Sequence, residues 1–324
     1  MIIIKRIILV LYVLVAFNSC SSDDNATTTT QTKNIIETAQ DVPELSILVE
    51  AVIQADLLGA LIASGDKTVF APTNAAFEQF LMDNGFAALS DVPDAVLTQV
   101  LLNHVIDGSS LASTDLAGST GYANTLADGP NNTKLSIFYN GNNGVTLNGI
   151  STVSTPNVNT TNGIVHIVNT VIGLPDVVTF ATADPNFSIL VDALTRETSF
   201  TYVSTLQTDN GTSPAPFTVF APTNLAFAEL LTELNYNTLG DIPTSTLSAT
   251  LDTHVITGNN YQDTAFQSGT TYNTLGGDLT FTSTTDTTTL TDENDRVSNI
   301  IATNVQATNG VIHVIDKVVL PPLT

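Results

Sequence analysis

Four histidines, His104, His166, His254 and His313, are the residues of this 324-residue chain best suited to proton transfer or metal ligation. Imidazole titrates near neutral pH and is a common zinc ligand, so two histidines in each half of the chain, with a carboxylate such as Asp316 close by, would suit a general base or a zinc site. Each ring, however, sits on or beside an apolar run: LLNHVIDG at 101–108, LDTHVITG at 251–258, NGIVHIV at 162–168 and NGVIHVI at 309–315. In such a setting an imidazole satisfies a buried backbone group, and the four are expected to be structural. The sequence carries no HExxH, no GxSxG elbow, no phosphate-cradling glycine loop and no paired-cysteine metal site, so neither an enzyme activity nor a cofactor is expected. The run Asp292-Glu293-Asn294-Asp295 offers oxygens to calcium, but it lacks the glycine and the spaced terminal glutamate of a calcium loop. It is expected to be a solvated loop.

The charge balance narrows the partners. Acidic side chains number 31 against 8 basic ones, a net charge of −23. Phosphate backbones and anionic headgroups need clustered Lys and Arg, so nucleic acid is excluded as a partner. The acids are dispersed among Thr, Asn and Ser in a chain that is 43% hydrophobic, which is too apolar for a disordered acidic tail.

The first 20 residues, MIIIKRIILVLYVLVAFNSC, place the basic pair Lys5-Arg6 before an apolar run from Ile7 to Phe17, the layout of a secretory signal. The run is too short to cross a bilayer as a helix. Cys20, the single cysteine, falls at the expected cleavage point and directly precedes SSDDNATTTT. This resembles a bacterial lipoprotein signal, in which the cysteine is acylated and becomes the new amino terminus. The resemblance implies a secreted, lipid-anchored protein at the outer membrane or cell surface of a bacterium, and Asp23 and Asp24 resemble a surface-export tag. Residues 21–40, without an apolar period, are expected to form a flexible tether. With one cysteine no intramolecular disulfide can form, so packing must hold the fold.

The elements that would position the histidines occur twice. SILVEA at 46–51 recurs as SILVDA at 188–193, TVFAPTNAAF at 68–77 as TVFAPTNLAF at 218–227, and the two histidine-bearing segments recur as given above. The offsets of 142, 150, 150 and 147 residues are nearly constant and mark a domain duplication, not a solenoid. Domain 1 is expected over 41–177 and domain 2 over 178–324, with a short connection near Leu174–Asp184 marked by Pro175 and Pro185. In each copy, apolar residues at three- and four-residue spacing predict a helix from Ser46 to about Gly65. A short strand Thr68–Ala71 stops at Pro72, and Asn74 is expected to cap a helix bearing Phe77 and Phe80. Pro93 opens a helix whose stripe is Leu97, Leu101 and Val105. Pro222, Asn224, Phe227 and the stripe Leu247, Leu251, Val255 repeat the plan. Short alternating runs such as Lys134–Tyr139 and Leu279–Thr282 follow, and Ile164–Val168, apolar on both faces, predicts a central strand. Helices first and hairpins later give an α+β class.

These segments resemble the fasciclin-like domain family. The first signature is Thr68-Val69-Phe70-Ala71-Pro72-Thr73-Asn74, repeated from Thr218 through Phe220 and Pro222 to Asn224. The second is Asn-Gly, two hydrophobic residues and His, running from Asn162 through Gly163 to His166 and from Asn309 through Gly310 to His313, and between the two lies a helix ending in His104 or His254. The resemblance implies two tandem domains, each a wedge-shaped β-sandwich of about seven strands with packed α-helices. It also implies a role in cell adhesion through an extracellular protein or polysaccharide ligand. In animal members a tyrosine beside the helix histidine belongs to an integrin-linked motif, whereas Asn103 and Thr253 stand there in this chain. An accessory glycan-binding role in nutrient capture is the alternative, and the absence of Trp with only 7 Tyr tells against it.

Overall fold

A computed structural model of the chain describes residues 33–285 and 287–322. The signal segment, Cys20 and the tether up to residue 32 lie outside the described residues. Domain 1 runs α1 (Ile35–Gln40), α2 (Ser46–Gln54), α3 (Leu58–Ile62), β1 (Lys67–Pro72), α4 (Asn74–Asp83), α5 (Asp94–Leu102), β2 (Val105–Asp107), α6 (Ser113–Leu116), β3 (Thr120–Asp128), β4 (Lys134–Asn140), β5 (Thr146–Leu147), β6 (Ser151–Thr160) and β7 (Gly163–Val168). Domain 2 repeats the order with α7 (Val177–Ala183), α8 (Ser188–Thr195), α9 (Tyr202–Leu206), β8 (Phe217–Pro222), α10 (Asn224–Glu233), α11 (Thr244–Asp252), β9 (Val255–Thr257), β10 (Thr270–Asn273), β11 (Asp278–Ser283), β12 (Thr288–Thr291), β13 (Val297–Ala307) and β14 (Gly310–Ile315). No helix among the described residues is long and apolar enough to cross a membrane.

Each domain orders its seven strands alike: β2-β1-β7-β6-β5-β4-β3, and β9-β8-β14-β13-β12-β11-β10. The pair β1/β7 is parallel, with Phe70 opposite His166, and β8/β14 sets Phe220 opposite His313. A parallel pair buried on both faces accounts for the continuous apolar runs. β6 and β13 carry register shifts, and such bulges bend a strand and raise its local twist. In domain 1 the two ends of the order, β2 and β3, meet, so the sheet curls around Phe70, Ile106, Leu116, Ile137, Leu147 and Val168. The helices cover the other face, where Leu48, Phe77, Leu97 and Leu101 pack on Val69 and Val165.

Four expectations change. Residues 33–40 are not tether: Asn34 and Glu37 form a reciprocal capping box, and Ile35, Ile36 and Ala39 are buried. A six-residue helix with three buried apolar residues is below the length at which periodicity shows. The connection Leu174–Asp184 likewise contains α7, capped by Asp176, and the helix spans the expected boundary at 177/178. The helix from Ser46 breaks where Asp56 takes φ +54°, and α3 continues it. The helices ending near the first histidines stop at Leu102 and Asp252, and Val105 and Val255 open strands β2 and β9 instead of extending a helical stripe.

The two domains share a packed seam. β3 is nine residues long, whereas its counterpart β10 is four, and the longer hairpin of domain 1 reaches domain 2. Ser136 Oγ accepts from Gln306 N at 3.0 Å, and Tyr122 Oη donates to Asp184 Oδ2 at 2.9 Å. Phe138, from β4, belongs to the core of domain 2 with Val177, Phe180 and Val305. Tyr122 lies tilted on Phe138 and edge-on to Phe180.

Candidate functional site

β1 and β7 bring Thr68, Phe70, Gly163 and His166 of the two signatures side by side, and β8 and β14 do the same for Thr218, Phe220, Gly310 and His313. Thr68 Oγ1 donates to Ser109 O and accepts from Leu111 N, both at 2.8 Å; Thr218 makes the same pair with Asn259 O and Tyr261 N. A Cβ on Gly163 would lie 2.2 Å from Lys67 O, and one on Gly310 2.5 Å from Phe217 O, so only glycine allows this strand approach. Pro72 and Pro222 end the parallel ladder just before α4 and α10.

The histidines face inward. His104 Nδ1 donates to Val100 O at 2.7 Å while Nε2 accepts from Ile172 N at 2.8 Å. His254 repeats this with Thr250 O at 2.7 Å and Val319 N at 3.3 Å. Burial pushes both rings down to about 4, leaving them neutral in this geometry at pH 7. His166 Nε2 donates to Leu111 O at 2.8 Å, its Nδ1 accepts from Asn157 N, and the ring stacks on Phe70. His313 Nε2 donates to Tyr261 O at 2.9 Å, and the ring sits between Phe220 and Phe266. Burial lowers these two as well. The apolar cavities against His104 and His254 measure about 30 and 40 Å³, room for about one water and not for a substrate.

Asn74 and Asn224 play a different part from the expected cap. The caps are Thr73 and Thr223, whose side chains accept from Ala76 N and Ala226 N. Asn74, one residue further on, takes Ile47 N on Oδ1 at 2.9 Å and gives Nδ2 to Pro43 O and Ser46 Oγ, tying α4 to the start of α2. Asn224 binds Ile189 N, Pro185 O and Ser188 Oγ in the same way. The approach of two helix starts is not visible from spacing, which offers Thr73 and Asn74 equally as caps.

Asn162 and Asn309 open the second signature, but the sequence assigned them no role. Both are buried; Asn162 accepts from Ile35 N and donates to Leu61 O, and Asn309 accepts from Val177 N and donates to Leu206 O. Their recurrence in both copies was the available signal. The acidic run is also not a solvated loop throughout. Asp292 is buried, with Oδ1 accepting from Asn294 N and Arg296 N, and Oδ2 from Leu320 N and the Arg296 guanidinium. Asp316 binds Asn299, not His313. Among the described residues no group of three or more His, Cys, Asp and Glu is placed to hold a metal ion.

The duplicated scaffold has a known counterpart: the family model of the Fasciclin domain matches residues 43–175 and 185–321. The chain belongs to the fasciclin domain family. It is 35% identical over 149 residues to the uncharacterized protein sll1735 of Synechocystis, covering 45% of this chain and 98% of the relative. Protein sll1483 of Synechocystis is also 35% identical, over 153 residues, with 45% and 81% covered. Human periostin is 28% identical over 202 residues, 62% of this chain but 22% of its own length. Among solved structures, a FAS1 domain pair from the insect cell adhesion molecule fasciclin I superposes with a TM-score of 0.51 at 20% identity, covering 87% of this chain and 97% of that one, which establishes the fold. In this tandem fasciclin pair Thr68, Phe70, His166, Thr218, Phe220 and His313 of the signatures are buried. Asn103, where the integrin-linked tyrosine was looked for, is buried and donates to Gly173 O at 3.0 Å.

Proposed function

We propose that this tandem fasciclin protein is a surface-displayed interaction module, anchored through an acylated Cys20 to the outer membrane or cell surface of a bacterium, that binds an extracellular protein or polysaccharide. The observation that carries this reading is the use of all four histidines as interior backbone ties, which leaves the duplicated signatures to build a scaffold and the acidic exterior to make contacts. The description of the fasciclin I pair as part of a cell adhesion molecule supports the same role. A packed seam between the domains holds two surfaces at one spacing, which favours a repetitive ligand if both engage together.

An array of immobilised matrix proteins and polysaccharides, probed with the full chain, tests the binding role. Retention on at least one class of ligand is expected, and hydrolysis of an arrayed polymer without retention would refute the module. Labelling with radioactive fatty acid tests the anchor: wild type takes up label, Cys20→Ala does not, and label on the variant would refute acylation at Cys20.

A further inference from the structure

Domain 2 seats one of its own arginines where domain 1 has none. Arg296, in the turn between β12 and β13, lies against the end of α10. Its Nε and Nη2 donate to the two carboxylate oxygens of Glu233 at 3.0 and 2.7 Å, and Nη1 donates to Val318 O at 2.7 Å and to Asp292 Oδ2 at 3.2 Å. A planar fork on a carboxylate, with a backbone carbonyl beside it, is the arrangement a guanidinium selects over an ammonium.

The corresponding surface of domain 1 is open. Asp83 ends α4 as Glu233 ends α10, and Val171 follows β7 as Val318 follows β14. The turn Asn148–Ile150 between β5 and β6 is shorter than Asp292–Arg296 and brings no cation. What remains is a groove of about 500 Å³ whose walls include Phe80, Asp83, Phe86, Val96, Ile150 and Val171. The Asp83 carboxylate accepts from Gln79 Nε2 at 2.7 Å and, among the described residues, forms no ion pair. Two apolar residues of its walls, Val96 and Ile150, are 41% and 57% exposed, and domain 2 has Thr246 in place of Val96. An apolar slot with a carboxylate at its edge complements a methylene stem carrying a guanidinium head. The net charge of −23 also draws a basic partner surface toward it.

We propose that the groove between α4, α5 and the β5–β6 turn of domain 1 accepts an arginine side chain presented by a partner protein, as domain 2 accepts its own Arg296. The proposal rests on the interaction-module reading and names the partner chemistry for one domain. The test is a nuclear magnetic resonance titration of the isotope-labelled full chain with N-acetyl-arginine methylamide, with the lysine analogue for comparison. Amide shifts are expected in 79–86 and 169–174, with arginine bound at least about threefold more tightly than lysine and Asp83→Asn weakening arginine by about threefold, the range of an exposed ion pair. A second variant replaces residues 148–150 by the domain 2 turn 291–297; it is expected to fill the groove from within and abolish those shifts. Shifts confined to other residues, equal affinity for both amides, or unchanged affinity in Asp83→Asn would each overturn the proposal. The ligand array separates the two ideas: equal retention of wild type and Asp83→Asn on every ligand overturns the groove and leaves the module standing, whereas a saturating, Asp83-dependent titration with no retention on any ligand supports the groove and overturns the module.

Discussion

His104 and His254 each join the end of a helix to the segment that follows the last strand of their domain, through one donated and one accepted hydrogen bond. That role fixes a pH dependence. The folded rings titrate near 4 because they are buried, against about 6.5 in the unfolded chain, so the unfolded chain holds more protons between those values. Stability contributed by the neutral rings is complete above pH 6.5 and declines as pH falls toward about 4, by about 1.4 kcal/mol per pH unit for each ring. Urea midpoints taken at pH 7 and pH 5 should therefore differ, with the midpoint lower at pH 5, and His254→Asn should show a smaller difference. Equal midpoints in the wild-type protein would contradict the buried, neutral assignment. The signature glycines give a second prediction at this scale. Gly163→Ala sets a methyl group 2.2 Å from Lys67 O on a neighbouring strand, where nothing flexible can yield, and should cost more than about 3 kcal/mol in a denaturant titration. Gly108→Ala, with nothing within 4 Å but φ +79°, should cost only about 1 kcal/mol.

At the scale of elements, the side chains that hold helices together outweigh the caps that start them. Thr73 offers one hydrogen bond to Ala76 N, and Thr73→Ala should cost about 1 kcal/mol. Asn74 makes three bonds between α4 and the start of α2, so Asn74→Ala frees Ile47 N and Pro43 O together and should cost about 2 kcal/mol, read as a larger fall in thermal midpoint than Thr73→Ala. A smaller fall would return Asn74 to the status of a simple cap. The turn between β12 and β13 is a further element held by side chains. Asp292 is buried and Arg296 supplies its counter-charge, so Arg296→Ala leaves a carboxylate without its cation and should lower stability by about 3 kcal/mol, whereas Glu293→Ala, exposed in the same turn, should change it little.

Across the whole molecule the two domains are coupled by aromatic packing and by polar ties along the seam. Phe138 comes from domain 1 but packs in the core of domain 2, and Tyr122 is held against Asp184. Burial foremost, and then the neighbouring carboxylate, pushes the Tyr122 hydroxyl well above the ordinary tyrosine range, so it remains a donor. Calorimetry of the wild-type chain should show a single transition. Phe138→Ala should remove about 3–5 kcal/mol of packing and separate the trace into two transitions, because the anchor is lost while each domain keeps its own sheet. Two transitions in the wild-type protein would mean that the seam transmits no stability.

The duplication, the order of helices before hairpins, the central apolar strands and the fasciclin resemblance were all legible in the residues, because local periodicity, turn chemistry and repetition are properties of a linear string. The burial of the histidine rings was legible for the same reason, since each ring is embedded in an apolar run whatever its neighbours are. What Asn74, Asn162 and Asp292 bind was not, because their partners lie far away in sequence or depend on a loop conformation, and only folding brings those groups within hydrogen-bond reach. Helices α1 and α7 fall in stretches that read as tether and linker because six or seven residues are too few to carry a period, and it is burial against the domain that stabilises them. The seam and the open groove of domain 1 depend on which hairpin is longer and on where a guanidinium comes to rest. Such placements are set by packing between surfaces, and packing is a property of the assembled chain.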